Sequence, residues 1–204
     1  MLSHKNLVTN AIATSKIQPL NNTHKVLSFL PLCHVYERMI NYHYQYLGIS
    51  IYYAENIGTI GENLREISAN GFCSVPRVLE SIFDKVNTAG KNLSGLKKKI
   101  FFWAINLALK FEPDGKNGWF YEQKLKVANK LVYNKLKASL GGNLQIIMSG
   151  GSAIQIKLLK LFSAIGIKII EGYGLTETSP VIAVNHPKKG GIKFGTVGFI
   201  LDKV

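Results

Sequence analysis

The 204-residue sequence is poor in cysteine, in acidic side chains and in long apolar runs, and each shortage excludes something. Its two cysteines, Cys33 and Cys73, stand far apart without CxxC spacing, which argues against a disulfide framework and a zinc-binding pattern. Buried free thiols are the expectation. No apolar run reaches the length of a membrane-spanning helix, and Met1-Leu2-Ser3-His4-Lys5 lacks the basic-then-apolar order of a signal peptide, so the expected compartment is the cytoplasm. Charged residues make up only 18% against 47% hydrophobic, a balance that excludes a disordered chain and leaves enough apolar material for a substantial core.

Acidic residues number 12 against 25 Lys and Arg, a net charge of +13, and the excess is unevenly placed. Between Lys91 and Lys137 eleven lysines stand against Glu112, Asp114 and Glu122. Most of the charge therefore belongs to one segment, whose partner should be anionic.

Elsewhere, short stretches rich in β-branched and aromatic residues alternate with longer amphipathic ones. That alternation predicts an α/β fold with a mainly parallel, doubly wound sheet and flanking helices. Strands are expected at about 26–30, 49–54, 72–75, 144–148 and 167–170. Helices are expected at 4–17, capped by Ser3, and at 35–47, 60–69, 76–87 and 153–165, with Pro76 in a first turn where its missing N–H costs nothing. From Leu93 to Leu140 the alternation stops, and two long helical patterns flank Glu112-Pro113-Asp114-Gly115-Lys116-Asn117-Gly118. This reads as a helical hairpin inserted over about 91–140. The last forty residues read as glycine-rich and irregular.

The chemistry concentrates in Glu171-Gly172-Tyr173-Gly174-Leu175-Thr176-Glu177-Thr178-Ser179-Pro180, directly after the strand pattern Ile167-Lys168-Ile169-Ile170. It reads as a ligand loop at a sheet edge, because open α/β sheets bind ligands beyond the carboxyl ends of their strands. Gly172 and Gly174 allow a tight turn and close backbone approach, Tyr173 offers a flat face, and Glu177 offers a hard oxygen for a cation such as Mg²⁺. These groups suit a nucleotide with its metal. The decapeptide resembles the YG-x-TE signature of adenylate-forming enzymes, the superfamily of acyl-CoA synthetases, luciferases and peptide synthetase adenylation domains.

A second run, Ser28-Phe29-Leu30-Pro31-Leu32-Cys33-His34-Val35-Tyr36-Glu37-Arg38, resembles the superfamily's strand, Pro-Leu, histidine and helix motif, with an ending similar to the long-chain fatty acyl-CoA synthetase version. A third, Ser149-Gly150-Gly151-Ser152-Ala153, resembles the Gly-Gly-Ala/Ser segment that lies along adenine and acyl group. The resemblance implies an enzyme that joins a fatty acid to coenzyme A through an acyl adenylate, with ATP, Mg²⁺ and coenzyme A. It assigns Tyr173 to adenine stacking, Thr176 to the α-phosphate, Glu177 to Mg²⁺ and His34 to the vicinity of the carboxylate. Gly150, Gly151, Ser152, Glu171, Gly172 and Gly174 would line or flank the nucleotide and acyl pocket.

By the same resemblance the chain is the central part of an N-terminal AMP-binding domain. Met1-Leu2-Ser3-His4 is similar to the segment just after the family's phosphate loop, and Gly195-Thr196-Val197-Gly198 to the one just before its ribose-binding aspartate, hinge and C-terminal domain. Without those parts the 204-residue chain is expected to bind nucleotide weakly and to turn over negligibly. An adenylate-forming ligase of medium-chain or aromatic acids would share every nucleotide motif. A non-catalytic membrane-binding or nucleic-acid-binding module is the alternative of a different class, although no nucleic-acid motif accompanies the lysines. For the hairpin two readings stand side by side. Lys97-Lys98-Lys99-Ile100-Phe101-Phe102-Trp103 suits peripheral docking on the anionic inner face of a membrane, or else Phe102, Ile105 and Leu109 face the core with solvated lysines opposite.

Overall fold

A computed structural model describes residues 1–188 and 190–202. The chain opens with α1 (His4–Ser15), and Ser3 caps it as expected: its hydroxyl accepts from the Asn6 amide while the Asn6 side chain accepts from the Ser3 amide. Next in the chain come β1 (Lys25–Ser28), α2 (Val35–Tyr46), β2 (Ser50–Tyr53), α3 (Ile60–Ile67), β3 (Gly71–Ser74) and α4 (Pro76–Lys91). Pro76 occupies the first turn of α4. The basic region forms α5 (Gly95–Ala108), α6 (Trp119–Ala128), a π-helical turn (Asn129–Tyr133) and α7 (Asn134–Ala138). β4 (Ile146–Ser149), α8 (Ile156–Ala164), β5 (Lys168–Gly174), β6 (Val181–Val184) and β7 (Phe199–Ile200) complete the order.

The seven strands form one sheet in the order β2-β1-β3-β4-β5-β6-β7. The first five run parallel, β6 pairs antiparallel with β5, and β7 antiparallel with β6. Because side chains alternate across a strand, neighbouring residues serve different layers. Leu27, Phe72, Ile147 and Ile169 project into a core shared with α3, α4, α5 and α8. Val26, Cys73, Ile146, Met148 and Ile170 project into a second core closed by α1 and α2. Each apolar side chain buried in either layer contributes about 1.5–3 kcal/mol over its exposed state.

The hairpin belongs to the first core. Phe101, Ala104, Ile105 and Ala108 form the buried line of α5, so the register is shifted from the expected Phe102, Ile105 and Leu109, of which only Ile105 is fully buried. Gly90 of α4 leaves room for the Phe101 ring, which a side chain there would strike. Tyr133 is fully buried and donates its hydroxyl to the Ala104 carbonyl at 2.6 Å, and Tyr121 donates to the Leu107 carbonyl at 2.8 Å. These bonds tie α6 and the π-turn to α5.

Other expectations are corrected as well. The strand reading that ended at Ile170 continues to Gly174, because β6 turns back and pairs with Gly172, Tyr173 and Gly174. The tail read as irregular therefore contains β6 and β7, whose backbone groups pair with each other, with β5 and, at Val181, with the Asn10 side chain of α1. Cys73 is buried as expected, but Cys33 is exposed in the loop between β1 and α2.

Candidate functional site

β1 is followed in the chain by β2 on one side of it and then by β3 on the other, so their connections diverge above the carboxyl end of β1. Crevices at such a switch point are where open α/β sheets hold ligands. Here the crevice is an open pocket of about 420 Å³. Leu30, Pro31 and His34 enter it from the β1 to α2 connection, Val75 from the end of β3, Gly150 and Gly151 from the end of β4, and Gly172 to Thr176 from the end of β5.

Local sequence holds each wall in place. Pro31 and His34 close a turn through the His34 amide and the Pro31 carbonyl at 3.0 Å, and Arg38 reaches back from α2 to the Leu32 carbonyl at 3.0 Å. His34 is exposed at the N-cap of α2 and faces the pocket. Opposite, Gly151 has φ +83°, a conformation that side-chain-bearing residues rarely adopt. Gly150 lies over Tyr36, whose hydroxyl donates to the Met148 carbonyl at 3.2 Å.

Tyr173 is half exposed at the end of β5 and presents its ring to the pocket. Gly174 is set against the Pro180 carbonyl so closely that a Cβ would overlap it, at a register shift between β5 and β6. A single turn over Thr176–Thr178 comes next, closed by Thr178, whose hydroxyl accepts from the Leu175 amide at 2.9 Å and donates to the Pro180 carbonyl at 2.7 Å. Thr176 thus stays at the pocket and Glu177 turns away from it. The Glu177 carboxylate lines an adjoining open groove of about 990 Å³ with Lys5, Lys16 and Asn6 of α1 and with Asp202.

Of the expected site residues, His34, Gly150, Gly151, Gly172, Tyr173, Gly174 and Thr176 converge on one pocket. Ser152 is exposed just outside it. Glu171 is buried in the sheet behind it; burial raises its carboxyl above the usual range, opposed by the Ile154 backbone amide. No cluster of three or more metal-ligating side chains occurs among the described residues. Glu177 still fits a Mg²⁺ ion held jointly by one carboxylate and a nucleotide's phosphates, the usual way Mg²⁺ is bound at such sites. Tyr173 and the glycines fit a planar base, since no side chain fills the space beside the ring.

The motifs assigned no role to Glu37, which also lines the pocket. A signal was available in the sequence: Glu37 and Asn41 fall four apart on the face of α2 that carries Ile40 and Tyr44 into the core, and polar residues on a buried face are seldom idle.

A doubly wound sheet with a glycine-lined pocket and an exposed aromatic beyond its strand ends is the arrangement of a ligand-binding α/β domain. The chain belongs to the AMP-binding enzyme family, whose family model matches residues 1–204. It is similar to long chain acyl-CoA synthetase 6, peroxisomal, of Arabidopsis thaliana, with 31% identity over 186 residues that cover 90% of this chain and 26% of that protein. It is also similar to the long-chain-fatty-acid--CoA ligase FadD15 of Mycobacterium bovis, with 32% identity over 203 residues, 97% of this chain and 33% of that one. The chain thus spans about a quarter to a third of these curated relatives. Among solved structures, the N-terminal domain of FACL13 from Mycobacterium tuberculosis matches with TM-score 0.65 at 14% identity, over 98% of this chain and 39% of that one. O-succinylbenzoate coenzyme A synthetase from Bacillus subtilis, solved with ATP and a magnesium ion, matches with TM-score 0.61 at 14% identity, over 98% and 32%. At these identities the structural matches carry the fold alone.

Proposed function

We propose that this chain forms the adenine- and acyl-binding wall of a long-chain fatty acid–CoA ligase. The carboxylate attacks the α-phosphorus of ATP, pyrophosphate leaves, and the thiol of coenzyme A then displaces AMP from the acyl adenylate to give the thioester. Tyr173 stacks on adenine, Gly150 and Gly151 leave room for base and acyl chain, Thr176 bonds the α-phosphate, and His34 stands beside the carboxylate. Mg²⁺, when bound beside Glu177, supplies neutralisation of the phosphate charge.

The carrying observation is the convergence of Tyr173 and Thr176 from β5 with His34 from the β1 connection on one pocket. The test is calorimetric binding of a long-chain acyl sulfamoyladenosine, a stable adenylate mimic, to the 204-residue chain. Tyr173→Ala is expected to weaken that binding by about 10- to 100-fold, the loss of one base-stacking platform. Unchanged affinity, or binding that AMP does not compete away, overturns the reading.

A second property rests on the outer face of the hairpin. Phe120, Val127 and Leu131 form an exposed apolar stripe on α6 and its π-turn, with Lys124 and Lys130 beside it. On α5, Leu96 and Trp103 are exposed with Lys97, Lys98 and Lys99. Apolar side chains flanked by lysines suit docking at the anionic inner surface of a membrane, where fatty substrate is dissolved. No helix among the described residues is long and apolar enough to cross one. Sedimentation with phosphatidylserine-containing vesicles should capture the chain, and K97E/K98E/K99E should lower that partition by at least about 100-fold, since each lysine lost is worth roughly 1 kcal/mol and each glutamate adds repulsion. Equal partition onto neutral vesicles would leave the lysines a solvated face.

A further inference from the structure

Glu37 is 1% exposed although it lies in the first turn of α2 at the pocket wall. Its Oε1 accepts from the Ser28 hydroxyl at 2.5 Å and lies 3.4 Å from the Asn41 amide nitrogen. Its Oε2 is buried with no hydrogen-bond partner. A buried carboxylate with one orphaned oxygen is poorly tolerated, whereas the neutral acid places its proton on that oxygen.

The neighbours do not supply a compensating charge. Tyr36 and Tyr44 of α2 and Cys73 of β3 are the ionisable groups coupled to Glu37, and each is made harder to ionise by it. Asn41 links Glu37 outward to the Tyr53 hydroxyl of β2 at 3.1 Å. His34 and Tyr173 are the other titratable side chains that line the pocket, and among the described residues lining it none is a lysine or arginine. Burial accordingly pushes the Glu37 carboxyl up to about 7, against the pull of Ser28, Asn41 and the Phe29 backbone amide.

A fatty carboxylate entering this pocket therefore brings a second negative charge against the same uncompensated wall. Two carboxyl groups in that position hold one proton between them, because both cannot ionise at low cost. We propose that the pocket admits a fatty anion only while Glu37 is protonated, because the neutral acid behind the wall spares the ligand's carboxylate a second buried negative charge. This rests on the acyl-pocket reading above. It makes Glu37 a residue that couples acid recognition to proton uptake from behind the pocket wall.

The probes are dodecanoate and its neutral counterpart dodecanol, titrated into the 204-residue chain by calorimetry. Dodecanoate affinity is expected to fall about tenfold from pH 6 to pH 8, as the protonated fraction of a group near 7 falls, while dodecanol affinity stays level. The fall should persist in His34→Gln and vanish in Glu37→Gln, which keeps the shape and a permanent donor. Titrations of the parent chain in buffers of different ionisation heat should show uptake of about half a proton at pH 7. A fall retained in Glu37→Gln, a fall shared by dodecanol, or no proton uptake by the parent chain overturns the inference and leaves the acyl pocket standing. Failure of both probes to bind overturns the pocket reading together with it.

Discussion

Replacing Gly174 by alanine is expected to destabilise the fold by about 3 kcal/mol or more, because the new methyl group would occupy the space of the Pro180 carbonyl oxygen. No flexible side-chain end is available to give way there, since the opposing atoms are backbone. Relief requires β5 and β6 to part at the register shift that joins Gly174 to Val181. The ring of Tyr173, one residue earlier, would lose its fixed position, so adenylate binding should fail along with stability. Urea denaturation followed by tryptophan fluorescence measures the first effect. A change below about 0.5 kcal/mol, the size of an ordinary surface substitution, would show that the strands have slack the structure does not display.

The second large effect is a pair of opposed pH dependences. His43 is buried in α2, with its Nδ1 2.8 Å from the Thr14 hydroxyl, and burial pulls its imidazole down to about 4. The unfolded chain takes up that proton first as pH falls through 6.5, so His43 withdraws about 3 kcal/mol of stability between pH 6.5 and 4. Glu37 behaves in the opposite sense. Its folded carboxyl sits near 7, above its unfolded value, so its contribution is complete at low pH and is lost as pH rises from about 4.5 to 7. Each is worth roughly 3 kcal/mol, so in the parent chain they largely cancel across mildly acid pH. Glu37→Gln should expose the histidine, with stability in urea falling toward pH 4.5, and His43→Gln should expose the carboxyl, with stability falling toward pH 7. Parallel profiles for both variants would sink this account.

Much of the fold was legible because it depends on short-range chemistry. Ser3 caps α1 through a residue three positions on, Pro76 starts α4, and the alternation of Val26 with Leu27 or Ile146 with Ile147 marks strands buried on both faces. The illegible parts depend on partners distant in sequence. Gly172 and Gly174 have no strand character of their own and, with Tyr173 between them, become strand because β6 returns to them, while Phe199 and Ile200 are strand beside Ala183 and Val184. In the site, the motif located His34, Tyr173 and Thr176, but the turn closed by Thr178 decides that Glu177 faces the adjoining groove. Glu37 could be read from the sequence only as a polar residue on a buried face of α2. Its significance comes from one unpaired oxygen, which only packing against Ser28 and Asn41 reveals.

The sheet also acts as a partition. Val26 and Leu27 are joined by a peptide bond yet serve two separate cores, whereas Leu27 and Ile147 lie far apart in the chain and share one. Substitutions that share no packed neighbours contribute nearly independently, and those that do share them interact. For this protein, nearness along the chain is therefore a poor guide to which changes compensate one another. A second-site rescue of a damaged Leu27 belongs at Phe72, its partner on β3, or in the helices packed on the same layer, and not at the residue next door.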